Sequence, residues 1–186
     1  MNALLISTGV VALAEIGDKT QLLALVLACR WRKPLPIILG IFIATIANHG
    51  LAALVGVAVT DFLTPEVLKW VLGLGFLAMA GWMLVPDKLD DDEGEPRASK
   101  YGPFLATLVT FFIVEIGDKT QVATVALAAE FQSLLLVTLG TTLGMMLANV
   151  PVVLIGDKAG AKIPLGFVRA ASALLFVVLG VAALLW

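Results

Sequence analysis

The sequence predicts an all-α integral membrane protein with six transmembrane helices, arranged as two inverted three-helix repeats. Three observations carry that prediction. Sixty per cent of the 186 residues are hydrophobic and the mean hydropathy is +1.03, whereas a soluble domain is about 45–50% apolar. Six apolar runs are each near or above the roughly 20 residues that cross a hydrocarbon core. Finally, Glu15-Ile16-Gly17-Asp18-Lys19-Thr20-Gln21 recurs, identical, as Glu115-Ile116-Gly117-Asp118-Lys119-Thr120-Gln121, 100 positions on.

Span 1 is expected over about Asn2–Ala28. It is read as a retained helix and not as a signal peptide, because it lacks a basic n-region and contains Glu15 and Asp18. Arg30-Trp31-Arg32-Lys33 forms a short basic link. Pro34 and Pro36 open span 2, where a missing N–H is tolerated, and it continues to about Val59. Thr64-Pro65 reads as an N-cap and first helical residue, opening span 3 over about Val67–Val85. Gly73, Gly75 and Gly81 in that span would admit a close helix neighbour. Spans 4, 5 and 6 follow at about Pro103–Ala129, Ser133–Ile155 and Pro164–Trp186. The chain thus divides into a first repeat at 1–85, an acidic linker at 86–102 and a second repeat at 103–186. The linker holds six acids with Gly94 and Pro96, the composition of a solvated loop. None of its aspartates has the sixth-position glycine of an EF-hand.

The repeat extends past the motif. Leu39-Gly40 matches Leu139-Gly140, Val55-Gly56 matches Ile155-Gly156, and Ala47-Asn48 matches Ala148-Asn149 with a one-residue slip. Three spans per copy force the second copy to enter the bilayer from the opposite side, the plan of many secondary transporters. Nine basic residues lie in or beside loops 1, 3 and 5, against Lys69 alone on the other side. The positive-inside rule puts those loops in the cytoplasm and both termini outside. Trp31, Trp70, Trp82 and Trp186 fall near span ends, as interfacial anchors do.

Charge excludes other classes. A net charge of −2 without a basic, aromatic-laced patch argues against nucleic acid. Cys29, the single cysteine, excludes an internal disulfide and a thiolate cluster. A homo-oligomer is left open.

Each motif copy lies inside an apolar run, where one charge costs about 2.5–3.5 kcal/mol on insertion scales. A purely structural ion pair would need one acid per lysine, and each copy carries two. On a continuous helix, Glu15 and Asp18 would share a face, and Lys19 could pair with Glu15 or reach a neighbouring helix. Brought together, Glu15, Asp18, Glu115 and Asp118 carry −4, and Lys19 and Lys119 return +2. One divalent cation or two protons cancel the rest. Thr20, Gln21, Thr120 and Gln121 add neutral oxygens. Such donors suit Ca²⁺, Mn²⁺ or Mg²⁺ better than Zn²⁺ or Cu⁺. Protons compete with a metal for buried, clustered carboxylates, so exchange of metal for protons is the expected mechanism.

Other polar residues have two readings each. Asn48 and Asn149 either hydrogen-bond across helices or offer carbonyl oxygens to the ion. His49, opposite Val150 in the second copy, is either a packing residue or a proton relay. Gly50 and Pro151 stand at matching places where spans 2 and 5 could bend. Met145 and Met146 are read as packing.

The doubled Glu-φ-Gly-Asp-Lys-Thr signature, in a six-span chain with an acidic central loop, resembles the GDT1 family of cation transporters. The resemblance covers essentially the whole chain. It implies transport of Mn²⁺ or Ca²⁺ against protons, with Glu15, Asp18, Glu115 and Asp118 as the ion site and no resident cofactor. It also implies a bacterial inner-membrane exporter. Three other functions compete. An exporter of an amino acid or other small organic solute would need an apolar pocket and a carboxylate partner, and the −2 surplus opposes an anion. An intramembrane aspartyl protease also sets two aspartates after glycines, but Glu15, Glu115 and the lysines would spoil a dyad that must share one proton. A non-transporting scaffold would explain the glycines and not the duplicated acids.

Overall fold

The structure is a computed structural model that describes residues 2–86, 101–155 and 165–185. Most of the expected acidic linker and the basic stretch before the last helix, with Lys88, Arg97, Lys100, Lys158 and Lys162, lie outside the described residues, as does Trp186. Among the described residues there is no strand. Eight helices follow in order: α1 Asn2–Glu15, α2 Lys19–Trp31, α3 Pro34–Thr60, α4 Pro65–Met83, α5 Pro103–Glu115, α6 Lys119–Phe131, α7 Leu134–Ile155 and α8 Leu165–Leu185.

Spans 2, 3, 5 and 6 begin and end close to where proline, capping residues and hydropathy place them. Thr64 caps α4, its Oγ1 accepting from the Val67 N–H at 3.4 Å, with Pro65 first in the helix. Pro103 is likewise the first residue of α5, after Gly102, which offers no side-chain cap. The short link before α3 turns on Arg32 in the left-handed region (φ 48°), whose N–H bonds to the Ala28 carbonyl.

Spans 1 and 4 differ from expectation. Neither is a continuous helix. Each breaks inside the motif, leaving halves of 14 and 13 residues in the first copy and 13 and 13 in the second. Gly17 (φ 82°) and Gly117 (φ 78°) occupy the left-handed region that glycine enters without a Cβ penalty. Asp18 and Asp118 then adopt extended backbone and stand as N-caps of the second halves. Gln21 and Gln121 hold the breaks, their Oε1 atoms accepting from the Gly17 and Gly117 N–H groups at 2.9 and 2.7 Å. At 1.5 Å per residue a half-helix is about 20 Å long, shorter than the roughly 30 Å core. Three described helices are each long and apolar enough to cross a membrane: Pro34–Thr60, Pro65–Met83 and Leu134–Ile155.

The two halves of the chain interleave. α1 packs on α7 and α5 on α3, while α3 meets α7 and α4 meets α8. The close approaches repeat as well. A Cβ on Gly40 would stand 2.8 Å from Thr107 Cβ and 2.9 Å from the Phe104 carbonyl. One on Gly140 would stand 2.9 Å from Ser7 Cβ and 2.6 Å from the Leu4 carbonyl. Phe76 and Phe176 meet with ring centroids 6.2 Å apart, joining α4 to α8. Gly73 lies against Gly180 of α8, as its sequence position suggests, but Gly75 and Gly81 have no neighbour at contact distance. On α3, Ile37, Ile41 and Ala44 are buried while Leu35, Leu51 and Leu54 point outward, more than half exposed. A helix apolar on both its inner and outer faces is the signature of a lipid-facing span.

Candidate metal centre

The breaks turn four backbone ends toward one buried region. Glu15 and Glu115 are the last residues of α1 and α5, and Asp18 and Asp118 stand just before α2 and α6. The first turn of each second half carries unpaired N–H groups and a partial positive charge, which favours carboxylates there. Glu15 and Glu115 are fully buried, and Asp18 and Asp118 nearly so.

Glu15, Glu115 and Asp118 each offer a carboxylate oxygen within 4.8 Å of the other two. Ligands on opposite sides of one ion, with bonds of about 2.1–2.5 Å, stand about 4.2–5 Å apart. Three such oxygens can therefore share a single cation. Glu15 Oε1 and Glu115 Oε1 are buried and have no hydrogen-bond partner. Leaving charged acceptors so exposed to an apolar interior costs upward of about 1–3 kcal/mol each, a cost a bound cation would remove.

The other oxygens are held. Thr20 Oγ1 donates to Glu15 Oε2 at 2.6 Å, and Thr120 Oγ1 lies 3.4 Å from Glu115 Oε2 and 3.3 Å from Asp118 Oδ2. The Thr120 N–H also donates to Asp118 Oδ2 at 3.4 Å. The threonines orient the acids. The glutamines fix the breaks and tie them to the opposite half: Gln21 Nε2 donates to the Ala148 carbonyl at 3.0 Å, and Gln121 Nε2 to Asn48 Oδ1 at 3.1 Å. Asn48 Nδ2 in turn donates to the Phe112 carbonyl at 2.8 Å. Asn149 Nδ2 donates to the Met145 carbonyl and sulfur, while its buried Oδ1 has no partner. Met145 is buried core.

The identical motifs are used unequally. Lys19 does not pair along its own helix with Glu15. Its Nζ lies 3.9 Å from Asp118 Oδ1, in the other motif. Lys119 Nζ donates to the Val85 carbonyl at 3.1 Å and sits 6.0 Å from the Trp82 ring centroid. Asp18 falls outside the three-acid group, although Thr20 Oγ1 lies 3.4 Å from its Oδ2 as well as 2.6 Å from Glu15 Oε2. Asp18 lines a separate cavity of about 10 Å³ with Gly17, Met83, Lys119, Arg169 and Ser172, a volume at the lower limit for one water. Of the four expected acids, three meet in this group, and Asp18 shares its cavity lining with Lys119 and Arg169. Sequence reasoning counted Arg169 only as an orientation charge. Its place within the last apolar run was the available signal that it reaches the motif.

Apolar helices thus enclose a buried set of oxygen donors in which acids outnumber the lysine beside them. Comparison with known proteins gives the family. The family described as "Divalent cation/proton antiporter GDT1" matches residues 3–91 and 103–186, and the chain belongs to it. It is 58% identical over 183 residues to the "Putative manganese exporter" of Vibrio cholerae, covering 98% of this chain and 90% of that one. It is 28% identical to GDT1-like protein 5 of Arabidopsis thaliana (93% and 91% covered) and 26% identical to GDT1-like protein 3 of Oryza sativa (87% and 66% covered). No solved structure matches the chain.

Proposed function

We propose that this protein exports Mn²⁺ from the cytoplasm in exchange for protons, by alternating access around the two motifs. One observation carries the reading. Glu15, Glu115 and Asp118 converge with Lys19 at their edge, so three carboxylates and one ammonium leave a local charge of −2. One divalent cation neutralises that surplus, and so do two protons. Antiport is then the alternation of two neutral loads at one site. An empty, unprotonated site would leave two charges uncompensated in a low-dielectric interior, which disfavours reorientation without cargo.

The interleaved packing supports the inverted-repeat reading, in which each span-forming segment of one half has a counterpart in the other. The broken helices at Gly17 and Gly117 fit the discontinuous spans that build midplane ion sites in such carriers. The bias of basic residues places loops 1, 3 and 5 in the cytoplasm and both termini outside, and the Vibrio relative fits a bacterial inner membrane. Ca²⁺ shares the hard-oxygen chemistry and is the nearest competing cargo. An anionic organic solute is opposed by the same surplus of negative charge. A protease dyad is opposed by Glu115 and Lys19 next to Asp118.

The test is transport by the purified chain in proteoliposomes with an imposed Mn²⁺ gradient and an internal pH dye. Mn²⁺ movement with opposite proton flux, both lost in Glu115→Gln, is expected. Mn²⁺ movement without proton flux would remove the exchange, and undiminished transport by Glu115→Gln would remove the site.

A further inference from the structure

His49 is the only histidine in the sequence, and the fold buries it beside the acid cluster. It lies on α3, fully buried. Neither ring nitrogen has a hydrogen-bond partner. Burying one unsatisfied polar group costs about 1–3 kcal/mol, and nearly all buried polar side chains avoid that cost. The ring is aimed at the acid cluster: Nε2 lies 3.8 Å from Glu115 Oε2. That gap is too long for a hydrogen bond. It falls within the separation of about 3–5 Å that two ligands of one ion keep when bond lengths are about 2.1–2.5 Å.

Neighbouring residues narrow what the ring can do. Asn48 is committed through both ends of its amide, to Gln121 and to the Phe112 carbonyl. It cannot turn to the cluster without breaking both bonds. Of these two neighbours, His49 is therefore the one with an uncommitted lone pair. Its counterpart in the second half is Val150, so the nitrogen is supplied by one half only.

We propose that His49 Nε2 is a ligand of the transported ion, alongside oxygens of Glu15, Glu115 and Asp118. The proposal rests on the acid cluster being the ion site. It names the selectivity of that site. Carboxylates alone serve Ca²⁺, Mg²⁺ and Mn²⁺ alike, whereas an imidazole nitrogen favours first-row transition ions. A mixed oxygen and nitrogen set with no thiolate selects a transition-metal divalent cation against the far more abundant Mg²⁺ and Ca²⁺.

The test is pulsed EPR on Mn²⁺ bound to the tag-free, full-length protein in lipid nanodiscs. Nitrogen modulation from a directly bound ¹⁴N is expected, and it must change to the ¹⁵N pattern when the protein carries ¹⁵N-histidine. Because the chain has one histidine, that labelling decides the assignment without a variant. His49→Gln should retain Mn²⁺ without the modulation, and its preference for Mn²⁺ over Ca²⁺ should fall at least about 10-fold, the lower bound seen when even an outer partner of a metal ligand is lost. Bound Mn²⁺ whose modulation is absent, or is unaltered by ¹⁵N-histidine, overturns the ligand assignment and leaves the ion site standing. Wild-type protein that retains no Mn²⁺ overturns both.

Discussion

Replacing Gly117 by alanine tests the broken helix directly. Gly117 has φ 78°, and a Cβ added there would meet nothing within 4 Å. The substitution therefore isolates backbone conformation from crowding. Holding a residue with a Cβ in the left-handed region costs about 1–2 kcal/mol. Alanine also favours the competing continuous helix by about 0.8–1 kcal/mol relative to glycine. The two effects add to about 2–3 kcal/mol against the broken form, roughly a 30- to 150-fold loss in its population relative to a straight span. A straight span would rotate Glu115 and Asp118 out of their shared cluster with Glu15. Mn²⁺ affinity, read by titration calorimetry on nanodisc protein, should fall, by up to that factor. Gly117→Asn should fall less, since asparagine tolerates left-handed backbone better. The protein should stay folded in both, because the site and not the core is disturbed. Wild-type Mn²⁺ affinity in Gly117→Ala would refute the reasoning, because it would mean that the ligands do not depend on the left-handed break.

Four further outcomes follow from the geometry. Gly140→Ala would set a methyl 2.6 Å from the Leu4 carbonyl, and such overpacking costs about 1–3 kcal/mol; its melting temperature should drop while Gly75→Ala, which meets nothing, stays near wild type. Thr20→Val removes the 2.6 Å bond to Glu15, a charge-assisted contact of about 1.5–3 kcal/mol, so Mn²⁺ binding should weaken about 10-fold or more while Thr20→Ser retains it. Asp118→Asn should reduce Mn²⁺ affinity more than Asp18→Asn, since only Asp118 belongs to the cluster, whereas proteoliposome transport should fail in both; equal losses of affinity would contradict the unequal use of the motifs. Saturating Mn²⁺ should raise the thermal midpoint, by about 2.7 kcal/mol of stability at 100 times Kd, and a chelator should reverse it.

The long apolar spans were legible because hydropathy and proline encode their ends. The breaks in spans 1 and 4 were not, because the apolar runs continue across Gly17 and Gly117 and a positive φ leaves no trace in hydropathy. A local signal did exist. Asp18-Lys19-Thr20-Gln21 and its copy have the spacing of a helix start, a capping residue followed three positions later by Gln. That register places a helix N-terminus where the periodicity suggests a helix interior. Glu15 and Asp18 then sit on opposite sides of a turn, and the i, i+3 argument for one shared face does not apply. The burial of all four motif acids was legible, since duplicated acids inside apolar runs are costly and need a shared polar interior. Their partition into three and one was not, because identical heptapeptides cannot encode unequal surroundings.

Those surroundings differ at identifiable places. His49 faces the cluster where Val150 stands in the other half, and Arg169 reaches the Asp18 cavity where its repeat mate Lys69 lines a surface groove beside Glu66 and Glu130. Lys19 leans on Asp118, while Lys119 is drawn to the Val85 carbonyl and Trp82. A carrier built from two matched halves must be unsymmetrical in any one state, since a symmetric site would open equally to both sides. Under the exchange mechanism, the opposite state follows by trading roles: Asp18 would join Glu15 and Glu115 with Lys119 at its side, and Asp118 would withdraw. His49 does not trade, because Val150 stands at its place in the other half, and the mate of Arg169, Lys69, lies in the groove beside Glu66 and Glu130. Under that mechanism the two states would differ in energy and in affinity, so the ion would be held more tightly in one than in the other.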